Sequence, residues 1–196
     1  MFRSLPKGGG KNATVIAVVG ALMLTGCTPS PAPIDDTEIF AEYDLDGLDV
    51  RELVETLDAM PLDERTETFT ASIDATTVRF TDQHEHTAEV QLPGDEIYVS
   101  IAPYQLQTHD CYNHSPTGCL GELRNTELRV TATDTATGDA ILEGNMTTFD
   151  NGFVGIWLPR DIQVAISITY DGQTATSKLS TAGEDAQTCL TTMRLT

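Results

Sequence analysis

From about Ile73 onward, apolar and polar residues alternate with a period of two, as in Val78 and Phe80, then Ile97, Val99 and Ile101, then Leu128 and Val130. Successive side chains of a strand point to opposite faces, so this pattern predicts half-buried antiparallel strands. The clearest is Val164 to Tyr170, with Val164, Ile166, Ile168 and Tyr170 on one face. Asp171-Gly172 then supplies a hairpin turn. Gly138-Asp139 and Asn151-Gly152 punctuate the chain similarly, at the spacing of a β-sandwich. Trp157, within Phe153 to Pro159, reads as a core aromatic. Upstream the period changes. Val50, Leu53, Val54 and Leu57 repeat at helical spacing, Asp49 with Glu52 forms an acidic capping box, and Met60-Pro61 ends the helix. With the segment from Ile39 to Leu45 it makes a helical arm, whose apolar stripe must pack on the main domain or on a second copy. The expected fold class is mainly β (α+β). A small helical N-terminal region, 38–72, precedes a β-rich, antiparallel sandwich-like domain, 73–196.

The first residues read as an export signal. Arg3, Lys7 and Lys11 precede an apolar run from Ala13 to Leu24, too short to span a bilayer. Leu24-Thr25-Gly26-Cys27 resembles the lipobox of bacterial lipoproteins, in which the signal, here 1–26, is cut before a cysteine that is then acylated. Cys27 is then a lipid anchor; the alternative is an ordinary signal peptide with a chance cysteine. Thr28 to Pro33 suits a stiff tether across 27–37. These features place the domain outside the cytoplasm, at the cell envelope. The chain carries 30 acidic against 11 basic residues, a net charge of −19, and loss of the signal leaves eight basic residues and −22. Nucleic acid is excluded as a partner on charge. Contact with a membrane then depends on the lipid rather than on a basic patch.

A chain of this length buries a core without disulfide staples, so the remaining cysteines need another explanation. Cys111, Cys119 and Cys189 are an odd set, which implies a pair plus a free thiol, an intermolecular bridge or a soft-metal site. Thr108 to Cys119 has the turn residues of a loop, and holds His109, Cys111, His114 and Cys119 within eleven positions. Sulfur and imidazole donors on so short a path are what a copper or zinc site requires. His109 and Cys111 point the same way in an extended stretch, and Asn113 to Gly118 can fold Cys119 back toward them. Gly183-Glu184-Asp185 breaks the preceding strand, so that a crossover brings Cys189 beside the loop. The competing reading is a loop-closing disulfide between Cys111 and Cys119, with ordinary exposed histidines. Both hold if each describes one redox state. His84 and His86 alternate around Glu85 and could face one metal, but Asp82-Gln83 beside them suggests a solvated turn. Asp35-Asp36 and Asp44-Leu45-Asp46 lack the spacing of a calcium loop. No Gly-x-Ser-x-Gly elbow supports serine catalysis.

At these residues the chain resembles the CueP family of bacterial periplasmic copper-binding proteins. The landmarks are Tyr98 to Tyr104, Thr108-His109-Asp110-Cys111, His114 through Cys119, Gly121-Glu122-Leu123, Asn151 to Gly155 with Trp157-Leu158-Pro159, and Thr188 to Thr192. The likeness runs from about Leu48 to the C-terminus. It implies a copper-resistance protein with three ligand cysteines, here Cys111, Cys119 and Cys189. It further implies copper buffering, reduction of Cu(II) to Cu(I), supply of copper to an exported cuproenzyme, and a homodimer built through the helical region. Thiolates favour Cu(I), while His109 or His114 helps capture Cu(II). Oxidation of two thiols yields two electrons, and a thiol reductant must then restore them. Cys111 and Cys119, close in sequence, are the expected redox pair, with Cys189 completing the site. The protein is then primarily a metal binder with thiol-dependent cupric reductase activity, and the same donors suit zinc. Two alternatives are a thiol-disulfide oxidoreductase, although no Cys-x-x-Cys occurs, and a disulfide-stapled β-sandwich lipoprotein that binds a protein partner.

Overall fold

Helix α2 (Val50–Ala59) starts where its capping box dictates. The Asp49 carboxylate accepts from the backbone N–H of Arg51 and Glu52, and the Glu52 carboxylate accepts from the Asp49 N–H. The computed structural model describes residues 36–196, so the signal, Cys27 and the tether as far as residue 35 lie outside the described residues. A short helix, α1 (Asp36–Glu42), comes before α2. Leu53, Val54 and Leu57 bury the apolar face of α2 against a three-stranded antiparallel sheet, in the order β1 (Phe69–Ile73), β2 (Thr77–Asp82), β3 (Thr87–Gln91). Strand β1 begins at Phe69, inside the stretch expected to be helical, because Phe69, Ala71 and Ile73 already alternate inward.

The remaining strands build a sandwich. One sheet orders β10 (Cys189–Leu190), β4 (Glu96–Ile101), β7 (Val154–Pro159). The other orders β6 (Ala140–Thr147), β5 (Glu127–Asp134), β8 (Gln163–Tyr170), β9 (Gln173–Ser180). Ile97, Val99 and Ile101 of β4 face Val130, Ile166 and Ile168 in one buried core. Each such side chain contributes roughly 1.5–3 kcal/mol by leaving water. The β8–β9 hairpin turns at Asp171 and Gly172, both with positive φ (48° and 76°), as a two-residue turn requires. The fold is mainly β with two short helices, as the pattern of apolar positions indicates.

Strand β4 is buried on both faces. Its second face carries Tyr98 and Ser100, and Tyr98 joins the other core, with Leu57, Phe69, Ile73 and Phe80. Gly155 on β7 lies directly beneath the Tyr98 ring, where any Cβ would overlap the phenol. Strand β10 pairs with β4 in parallel, Cys189 opposite Ser100 and Leu190 opposite Ile101. Alternation therefore sends Leu190 into the sandwich and Cys189 to the opposite face.

Candidate metal centre

The loop after β4 is tied down rather than free. The Ile73 N–H donates to the His114 carbonyl (2.7 Å), and the His114 N–H donates to Thr188 Oγ1 (3.0 Å), which donates in turn to the Ile73 carbonyl (2.6 Å). Thr117 Oγ1 accepts from the Ala71 N–H, and the Cys189 N–H donates to the Tyr112 carbonyl. The Cys119 N–H closes a local turn onto the Ser115 carbonyl (2.8 Å). The loop is thus clamped between β1 on one side and β10 on the other, and its chemistry-bearing side chains collect in one place.

One ligand atom from each of Cys111, His114, Cys119 and Cys189 lies within 4.8 Å of all the others. Cys111 and Cys189 form a disulfide with Cα atoms 5.5 Å apart, and Cys119 is a free thiol whose Sγ is 3.5 Å from that of Cys111. This corrects the expected redox pair: the bonded partner of Cys111 is the cysteine distant in sequence, not Cys119. The reason is tertiary. Parallel pairing with β4 delivers Cys189 at bonding distance, whereas the turn onto Ser115 sets Cys119 alongside the bond. The sulfurs also differ in depth. Cys189 is fully buried, while Cys111 and Cys119 are partly exposed.

His114 is completely buried, with its Nε2 2.8 Å from Asp58 Oδ1 and its ring against Phe153. Its Nδ1 is buried without a well-formed hydrogen bond, and so is Nε2 of His109. Buried polar atoms are rarely left unpartnered. What both rings have beside them is the Cys119 sulfur. His109 stands outside the group of four by distance, and lines a cleft of about 440 Å³ with Leu62, Leu120 and Glu122. His84 and His86 are not brought to the cluster; they sit at the turn between β2 and β3.

Asp58, also fully buried, organises the ring of His114. It accepts hydrogen bonds from Tyr98 Oη (2.8 Å), Ser100 Oγ and Asn151 Nδ2 (2.9 Å) as well as pairing with His114. Burial alone would raise the Asp58 carboxyl, but the His114 charge and the hydrogen bonds from His114, Ser100 and Tyr98 hold it below its ordinary value. Burial would likewise lower His114, yet the Asp58 charge and hydrogen bond push it up to about 9. Cys119, raised by burial, is brought down to about 7 by contact with His114 and His109 and by the His114 charge. Tyr98 is driven well above its usual range by burial beside Asp58. The result is a thiol that ionises near neutral pH, facing an imidazole that keeps its proton against a carboxylate, next to a disulfide. Asp58, Tyr98, Ser100 and Asn151 were not among the expected site residues. A signal for Asp58 existed, since it follows Val54 by one helical repeat and so places an acid on the apolar stripe.

Over residues 52–194 the chain matches the family described as "Periplasmic copper-binding protein CueP". The chain belongs to the CueP family. Among solved structures it is similar to the crystal structure of S.CueP, at 36% identity and a TM-score of 0.77, covering 83% of this chain and 98% of that one. No curated protein matches. The CueP landmarks read from the sequence fall on the clamped loop, on β4, β7 and β10, and on Asn151. Among the described residues, no helix is long and apolar enough to cross a membrane.

Proposed function

We propose that this protein binds copper outside the cytoplasm through Cys111, Cys119, Cys189 and His114, with His109 at the entrance, and that its thiols reduce Cu(II) to Cu(I). The observation that carries the reading is convergence: three sulfurs and a buried, otherwise unpartnered imidazole nitrogen lie within 4.8 Å. Soft thiolates select Cu(I) at low coordination number, and imidazole admits Cu(II) as it arrives. Each cycle is balanced if the Cys111 and Cys189 thiolates pass one electron to each of two Cu(II) ions and join as a disulfide. A dithiol reductant then returns two electrons and two protons. It attacks at Cys111, because Cys189 has no solvent access. Zinc competes for the same donors in the reduced state. Hand-off to an exported cuproenzyme is supported by the exposed Leu106, Tyr112 and Leu120, which sit on the segment that carries Cys111 and Cys119. Export and anchoring through Cys27, and a homodimer, complete the proposal and rest on the sequence reading.

The test is titration of the reduced protein with Cu(I) against a competing chelator, alongside Cys111→Ser, Cys119→Ser and Cys189→Ser. One Cu(I) should bind, and each substitution should weaken it about 100-fold, roughly one ligand's share of a four-ligand site. Binding no tighter than the chelator's and indifferent to Cys189 would sink the reading.

A second reading has its own support. A thiol brought down to about 7 and lying 3.5 Å from a disulfide sulfur is the arrangement for thiol-disulfide exchange. Catalysed reduction of insulin disulfides by the metal-free protein would favour it.

A further inference from the structure

The β2–β3 hairpin holds two imidazoles side by side, and the sulfur centre uses neither. Three loop residues, Gln83, His84 and Glu85, connect Asp82 to His86, whose carbonyl accepts from the Asp82 N–H. Glu85 sits at φ +64°, a left-handed conformation in which such a loop ordinarily places glycine or asparagine. Strain of this kind persists where the surroundings fix it, and here the fixing group is Asp82. Its side chain is nearly buried, at 5% exposure. Oδ1 accepts from the backbone N–H of both His84 and His86 (2.8 Å each), and Oδ2 lies 2.8 Å from His86 Nδ1.

This bond does more than close a turn. With Nδ1–H donating to the carboxylate, neutral His86 carries its lone pair on Nε2, at the far side of the ring. A carboxylate behind the other ring nitrogen is what fixes the tautomer and raises the basicity of a metal-binding histidine. The exposed His84 ring stands 5.8 Å from that of His86, centroid to centroid, tilted by 49°. Two imidazoles sharing an ion at a bond length of ~2.0 Å have centroids up to roughly 6.4 Å apart, so this separation admits one shared ion once the exposed His84 ring turns a nitrogen toward Nε2 of His86. Glu85 lies between the two histidines, in a chain of net charge −19 that gathers cations.

We propose that His84 and His86 form a second copper site, for Cu(II), on the β2–β3 hairpin, with Asp82 orienting the His86 ring. Imidazole without thiolate prefers the divalent ion, and Cu(II) outranks the other first-row divalent metals at nitrogen donors. The hairpin site thus holds the oxidation state that the sulfur cluster does not favour. It stands on its own geometry and does not depend on the sulfur reading.

The test uses the full chain with its disulfide intact and its free thiols alkylated by iodoacetamide, so that no thiol reduces the probe. Cu(II) buffered with glycine is titrated and followed by electron paramagnetic resonance. One Cu(II) coupled to two imidazole nitrogens is expected. His84→Ala, an exposed change that leaves the fold intact by circular dichroism, should remove one nitrogen coupling and weaken binding roughly 100-fold. Asp82→Asn should weaken it about 10–100-fold with both couplings retained. An unchanged spectrum in His84→Ala, no binding above that of glycine, or a signal abolished by His109→Ala instead would each overturn the proposal.

Discussion

Asp58 occupies a helix face otherwise given to Leu53, Val54 and Leu57, and four side chains converge on its carboxylate. A buried charge of this kind is tolerated because every lone pair is used and a counter-charge lies 2.8 Å away. Asp58→Asn keeps the shape and removes the charge, which takes from His114 the buried carboxylate that holds its proton. The expected loss of stability is about 3–5 kcal/mol, read by denaturant unfolding. The same change withdraws support from His114 and through it from Cys119. The midpoint of iodoacetamide alkylation against pH should therefore rise from about 7 toward the ordinary 9.0 of a thiol. An unmoved midpoint in folded Asp58→Asn would show that the carboxylate does not act on the sulfur.

Among the elements, β4 is the one on which both cores and the centre depend. Its odd-numbered residues build the sandwich, while Tyr98 and Ser100 reach the other way to Asp58. Tyr98 can do so only because Gly155 on β7, the register partner of Ser100, has no side chain where the phenol lies. Gly155→Ala should cost about 1–3 kcal/mol through overpacking. Gly144→Ala on β6, where an added Cβ meets nothing within 4 Å, should be neutral or stabilising by up to about 1 kcal/mol. Thermal unfolding of the two variants in parallel checks the contrast. Much of this element structure is legible in the chain itself. The Asp49–Glu52 cap, the alternation of β4 and β8, and the Asp171-Gly172 turn are local signals that the fold obeys. The crossover after Gly183 is legible too, and does bring Cys189 to the loop. What spacing misjudges is which sulfurs bond, because that is decided by a parallel strand pair joining residues far apart in sequence. Asn151 is obscured for the same reason, since it looks like an ordinary turn residue until the fold joins it to Asp58, whose place on the apolar stripe was the legible half of the pair.

For the molecule as a whole, the thiol and the imidazole bear oppositely on stability. His114, raised from 6.5 to about 9, contributes stability that is complete below 6.5 and lost as pH rises through 9. Cys119, lowered from 9.0 to about 7, contributes stability present above 9.0 and lost as pH falls through 7. Between 7 and 9 the folded pair is doubly charged and the unfolded pair is neutral, so both states bind the same number of protons. Unfolding free energy should be nearly flat across that window. Cys119→Ser leaves His114 uncompensated, and its stability should fall with rising pH by up to about 1.4 kcal/mol per unit. Denaturant titrations at several pH values distinguish the two slopes.

Because the sulfurs lie at different depths, they also age differently in an oxidising compartment. Peroxide arrives through solvent and attacks thiolates, so Cys119 meets it and the buried Cys189 does not. While Cys111 is tied to Cys189, a sulfenic acid on Cys119 has no thiol beside it to condense with, and passes on toward the irreversible acids. Once the bond is reduced, Cys111 stands 3.5 Å away and converts the same lesion into a disulfide that a reductant can repair. With the disulfide closed, Cys119 is therefore at its most perishable, and opening that bond restores its protection.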